Sequence, residues 1–159
     1  MVIKERADIG VSSGSRGPSK AAASRIQYAA LPYRVSSRAR TEIMLITSRE
    51  TRRWIIPKGW PHKGRSPHRS AEREAFEEAG VVGKVARRSV GTFSYEKRLK
   101  NGTITRCEVR VFALQVQHQS LIWPEKKQRR IKWLSARNAA KTVKDASLSE
   151  IILRVAGVK

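Results

Sequence analysis

Residues Gly59–Val81 read GWPHKGRSPHRSAEREAFEEAGV, and their punctuation predicts a loop followed by one short helix carrying a row of acids. Ser66 is placed to accept a bond from a first-turn N–H, Pro67 suits the first helical position, and Gly80 suits a left-handed residue just past the end. The helix therefore runs over 67–79. Ala71, Ala75, Phe76 and Ala79 fall on one side, the apolar stripe of a helix packed on a sheet, and small alanines allow close approach. Glu74, Glu77 and Glu78 lie three and four positions apart, along a common edge of that stripe. Together with Glu72 these carboxylates repel one another unless a cation sits among them.

Outward from the helix the chain reads as a sheet protein. Residues 26–35, 42–48 and 54–56 are β-rich segments separated by charged or Ser-containing turns, and they predict three strands ahead of the helix. Beyond it, 88–99 and 103–116 flank Lys100-Asn101-Gly102, and Asn-Gly is a strong hairpin signal. Residues 130–134 predict a last strand. Ser135 is placed to cap a short helix through Lys144, and Ser147 to cap another that buries Leu148, Ile151, Ile152 and Val155. That order predicts an α/β fold, a mixed β-sheet sandwiched by helices.

With 159 residues the chain suits one domain with a single core. Residues 1–24 hold Gly10, Gly14, Gly17, Pro18 and five serines without an apolar period, so they read as a disordered leader ahead of a domain over 25–159. A transit peptide is the rival, and Glu5 and Asp8 weigh against it. No apolar run approaches membrane-spanning length, so no membrane partner is expected. The lone Cys107 cannot form an internal disulfide, which predicts a reducing cytoplasm.

The formal charge is +21, and the first 24 residues contribute only +2 of it, leaving +19 on the body. A field of that sign attracts polyanions: nucleic acid, an anionic surface, or a small densely phosphorylated substrate. No Arg-rich helix with interleaved aromatics is present, so dedicated nucleic-acid readout is disfavoured and RNA is the lesser partner.

A phosphoanhydride resists water because its oxygens repel a nucleophile. Magnesium, or manganese in its place, answers this: it takes oxygen ligands, is held by one or two carboxylates with substrate phosphates, and makes a hydroxide-like nucleophile available near neutral pH. Glu74, Glu77 and Glu78 supply such ligands. Arg73 is spaced to orient a carboxylate by a charge-assisted bond. Gly59 brings bare backbone near the helix start, where a carbonyl can complete the metal sphere.

The run Arg73-Glu74-Ala75-Phe76-Glu77-Glu78-Ala79-Gly80-Val81, with Gly59 ahead of it, resembles the signature box of the Nudix hydrolases. That resemblance implies an α/β/α Nudix sandwich and magnesium-dependent cleavage of a pyrophosphate linkage. It also makes Glu74, Glu77 and Glu78 metal-binding residues, Gly59 the loop glycine that contacts metal, and Arg73 the orienting arginine. The competing account, a solvated helix face paired with Arg69 and Arg73, does not explain the matched spacing. Further segments, among them Ala29–Arg34, Ile46–Arg49, Arg53–Pro57, Val90–Phe93 and Arg130–Leu134, look like the diphosphoinositol polyphosphate phosphohydrolase branch, which also hydrolyses dinucleoside polyphosphates. By that likeness Arg34, Ser48 and Arg49 contact substrate phosphates, with Lys58 and Arg129 beside them.

Two positions depart from the pattern. Arg65 stands where the box has its first glutamate, and a cation there is suited to a phosphate or to a helix acid. Lys58 precedes a single Gly59 where the branch has a glycine pair. Among other residues, Trp60 is the best loop candidate for stacking on a nucleobase, while Trp54 and Trp133 sit in strand patterns. His62 and His68 are candidate proton shuttles, with a solvated loop histidine the plainer account. Glu96 and Glu108 are candidates for an extra carboxylate base, with cross-strand pairing to arginines the plainer account. The sequence therefore points to a pyrophosphohydrolase of a small polyphosphorylated metabolite. An RNA 5′-end pyrophosphohydrolase and a polyphosphate- or RNA-binding module disabled through Arg65 are the rivals.

Overall fold

The computed structural model describes residues 25–158; the expected leader over 1–24 lies outside them. In chain order the elements are β1 (Arg25–Val35), β2 (Thr41–Thr47), β3 (Trp54–Ile55), β4 (Lys58–Gly59), α1 (Pro67–Ala79), β5 (Val81–Val85), β6 (Gly91–Arg98), β7 (Ile104–Gln119), β8 (Ile131–Ser135), α2 (Ala136–Thr142) and α3 (Ala146–Val155). One mixed sheet has the path β3-β2-β1-β7-β5, with β4 also pairing β1, β6 pairing β7 and β8 pairing β2. Among the described residues only β1 and β7 run parallel; the other pairs are antiparallel.

The strand period of two divides the core into two layers. Ala30, Met44, Ile46, Phe112 and Leu114 meet Ala71, Ala75 and Ala79 of α1 on one face. Ala29, Leu31, Ile43, Leu45, Val109 and Val111 meet Ala139, Ala140, Leu148, Ile151 and Ile152 of α2 and α3 on the other. The sheet is thus sandwiched between helices, as the sequence predicts. Phe76 departs from the expected stripe: it is half-buried and stands outside the α1 core cluster.

Helix α1 has the expected ends, but not through the expected cap. Ser66 is extended and makes no side-chain cap bond, its hydroxyl lying 3.2 Å from His68 Nδ1 instead. Gly80, at φ 69°, donates back to the Phe76 carbonyl. Ser135 caps α2 as expected, accepting from Asn138 N, though that helix stops at Thr142. Asp145, not Ser147, caps α3 by accepting from Leu148 N at 2.9 Å.

Two strands were not legible. β4 is a two-residue bridge to Tyr28 and Ala29, too short to show a period. β5 contains Gly83, where the pairing to β7 shifts register. A Cβ there would run into the Gln115 backbone carbonyl. The hairpin is present, but β6 starts at Gly91 and β7 runs on to Gln119. Leu99 to Thr103 close it, with Gly102 at φ 82°.

Candidate active site

Strand β1 holds β4 against the second half of α1, so Lys58 and Gly59 face the acidic edge of the helix at Glu74 and Glu78. The fit is tight at Gly59: a Cβ there would fall on the Glu74 carboxyl group. Glycine is required so that backbone can lie on that carboxylate. Glu74 is buried, and its burial pushes the carboxyl above its ordinary range, against the pull of a hydrogen bond with His62. His62 Nε2 lies 2.7 Å from Glu74 Oε1.

Ligand atoms of His62, Glu74 and Glu77 lie within 4.8 Å of one another. Arg73 Nε donates to Glu77 Oε1 at 2.8 Å along the helix, the orienting contact expected of it. A six-coordinate ion with ligands at about 2.1 Å spreads opposite donors about 4.2 Å, so a spread of 4.8 Å is of the size of a divalent-cation site. The donor set fits the group that the sequence implies.

Glu78 is placed differently from Glu74 and Glu77. Its Oε1 accepts from Arg129 at 3.0 Å and its Oε2 accepts from the Lys58 amide at 3.1 Å. Burial pushes its carboxyl up to about 8, against the pull of Arg129. Arg129 is itself enclosed, its side chain 7% exposed, and it also donates to Glu125 and to the Thr47 carbonyl. It is an internal brace, where the sequence suggested a phosphate contact. Lys58 is likewise turned inward: its Nζ donates to the Tyr95 hydroxyl at 2.9 Å, which donates to Gln27. Burial, helped by Lys97, lowers Lys58 to about 8, and burial raises Tyr95.

The remaining cations differ in freedom. Arg49 is exposed and bridges Gln128 and Glu125 at 3.1 and 3.3 Å. Arg34 stacks on Trp133 at 3.9 Å and reaches Glu42 at 3.4 Å. The Ser48 hydroxyl meets Thr51 and accepts from Arg53 N, which shapes the turn after β2. Arg65 is exposed, and among the described residues it pairs with no helix acid. Trp60 is exposed between Arg25 and Lys97.

Two site residues were missed or underweighted in the sequence. His62 sat inside the decisive segment, but an imidazole in a loop carries no period that marks a partner. Glu125 was hidden in the basic run PEKKQRR, yet its carboxylate joins Arg49 and Arg129 beside Glu78, and its amide donates to the Glu77 carbonyl at 3.0 Å. The hairpin carboxylates are occupied elsewhere or exposed: Glu108 lies 3.8 Å from Arg110, and Glu96 faces solvent.

A family model described as NUDIX domain matches residues 30–155. The chain is 29% identical over 101 residues to Nudix hydrolase 12, mitochondrial, of Arabidopsis thaliana, covering 62% of this chain and 50% of that protein. It is 41% identical over 63 residues to diphosphoinositol polyphosphate phosphohydrolase 3-beta of Bos taurus, covering 39% and 38% respectively. Among solved structures, the C. elegans Ap4A hydrolase superposes with a TM-score of 0.61 at 17% identity, covering 84% of this chain and 97% of that one. The chain spans about half the length of the plant relatives it matches.

Proposed function

We propose, from the premise that this chain belongs to the NUDIX domain family, that it is a divalent-cation-dependent pyrophosphohydrolase cleaving a phosphoanhydride of a small, highly phosphorylated metabolite. The observation that carries the reading is the buried Glu74 carboxyl beneath Gly59, with Glu77 and His62 beside it. The finer substrate is a diphosphoinositol polyphosphate or a dinucleoside polyphosphate, supported by the likeness to that branch and by the +19 body.

A bound magnesium or manganese ion would activate water and shield the phosphoryl oxygens there. The protein's own residues do the rest. Arg73 fixes the Glu77 rotamer, and Gly59 leaves room for the Glu74 carboxyl. Arg129 and the Lys58 amide hold Glu78 in place, keeping the third acid of the helix at the edge of the site. Glu125, fixed to the helix end through its amide and held by Arg49 and Arg129, braces the same edge. Arg49 and Arg65, both exposed, take the distal phosphates, with Ser48 next to Arg49, and Trp60 stacks on a base when the substrate carries one. Arg34, paired with Glu42 and six residues along β1 from the Tyr28 that pairs with Gly59, lies at the far end of the strand and outside this set.

We place the protein in the cytoplasm on the strength of Cys107, a buried free thiol. No helix among the described residues is long and apolar enough to cross a membrane. The mitochondrial name of the Arabidopsis relative makes that organelle the alternative address, and fractionation separates the two.

The test is a substrate panel of diphosphoinositol polyphosphates, dinucleoside polyphosphates and triphosphorylated RNA, each with magnesium and with manganese. Wild type turns over a soluble polyphosphate, and Glu77→Gln loses that turnover while keeping its circular dichroism. No turnover on any of these by wild type sinks the enzyme reading. Preference for the RNA end sinks the metabolite reading and favours an RNA pyrophosphohydrolase.

A further inference from the structure

We propose that His62 is a metal ligand of this site, its Nε2 joining the carboxylates of Glu74 and Glu77, so that the site takes a first-row divalent ion such as manganese in preference to magnesium. The inference rests on the hydrolase reading above and adds to it a residue and an ion class.

The argument starts from what the helix can still offer. Both oxygens of Glu78 are engaged, one by Arg129 and one by the Lys58 amide. Arg65 occupies the position of a further acid, and a guanidinium cannot bind a cation. That leaves Glu74, and Glu77 with one oxygen taken by Arg73, and the donor nearest to them is the imidazole of His62, 2.7 Å from Glu74.

The ring is held there by its backbone. His62 N donates to Ser70 Oγ at 3.1 Å, and Ser70 is fully buried in the second turn of α1. The His62 carbonyl accepts from Arg65 N at 3.0 Å, closing a turn that leads into the helix. The loop thus carries its imidazole to the acids and leaves the Arg65 side chain in solvent. Magnesium demands oxygen donors, whereas imidazole suits first-row ions such as zinc, iron and nickel most strongly, and manganese, the weakest of that series, least; manganese is therefore the most stringent probe of the imidazole. Exchanging a carboxylate for an imidazole shifts the site toward the first-row ions.

The probe is manganese alone, added to the full chain without substrate. Pulsed electron paramagnetic resonance of the wild-type complex should show coupling to a directly bound imidazole nitrogen. His62→Gln should abolish that coupling, and His68→Gln should leave it. By calorimetry His62→Gln should weaken manganese binding about 10- to 100-fold while changing magnesium binding much less. The nitrogen coupling is decisive, because a histidine that merely positioned Glu74 would also weaken manganese. Absence of imidazole coupling in wild type, or its survival in His62→Gln, overturns the proposal, and the wild-type spectrum does not depend on a variant folding. If Glu74→Gln loses manganese while wild type shows no nitrogen coupling, only the His62 inference fails. If the double variant Glu74→Gln, Glu77→Gln binds manganese like wild type, the hydrolase site itself is misplaced and both fail.

Discussion

Replacing Arg129 by Met tests whether this arginine braces the site or binds substrate. The guanidinium donates to Glu78, Glu125 and the Thr47 carbonyl from a side chain only 7% exposed. Removing one partner of a buried pair costs about 3–5 kcal/mol, because the other charge stays buried without compensation. Here the lower end applies, since burial already pushes Glu78 toward its neutral form and a neutral carboxyl escapes much of the cost. A loss of about 3 kcal/mol lowers the melting temperature by roughly 6–12 °C in a domain of this size. The assay is thermal and urea unfolding of metal-free protein at pH 7. Arg49→Met is the control, because that side chain is 58% exposed and its pair with Glu125 contributes under about 1 kcal/mol. Adding Glu78→Gln to Arg129→Met should recover part of the loss, the signature of coupled neighbours. If Arg129→Met melts within about 2 °C of wild type, less than about 1 kcal/mol, and instead raises KM, the brace is refuted and Arg129 binds phosphate.

Gly59→Ala puts a Cβ on the Glu74 carboxyl, so it should lower manganese or magnesium affinity about 10- to 100-fold by calorimetry while the protein stays folded. Metal-free stability should pass through a minimum near pH 8. Glu78 is raised from 4.5 to about 8, so the folded state holds a proton that the unfolded chain has lost, and stability falls as pH rises across that window. Lys58 is lowered from 10.5 to about 8, which reverses the sign and restores stability as pH rises from 8 to 10.5. Urea midpoints between pH 5 and pH 10 check this, and Glu78→Gln should flatten the acid limb. Asp145→Ala should cost about 1 kcal/mol, whereas Ser66→Ala and Ser147→Ala should leave the melting curve nearly unmoved.

The helix α1 was legible to the residue because Pro67 and Gly80 are backbone constraints that act locally. The strands β1 and β2, covered on both faces, were legible as short β-rich runs, Ile43 to Ile46 in β2 being apolar throughout. β5 was not, since Gly83 is chosen for a contact with β7, more than thirty positions along the chain, and a one-dimensional pattern carries no trace of it. The same distinction holds in the site. Glu74, Glu77 and Arg73 speak through helix spacing, since their contacts, such as Arg73 to Glu77, lie within one helix. Lys58 and Arg129 read as free cations because their acceptors, Tyr95 and Glu78, lie far along the sequence. Buried pairing converts a residue that looks like a ligand contact into a strut.

The parallel pairing of β1 with β7, which joins Arg25 to Cys107 and Tyr33 to Gln115, bears on how the protein comes into being. The acids and their loop are neighbours in the chain, but the sheet beneath them closes only when strands about eighty positions apart find each other, the kind of distant contact that slows folding. During synthesis the box is made early and has nothing to rest on until β7 has left the ribosome. A chain truncated before residue 104 should therefore bind no metal although it contains every ligand.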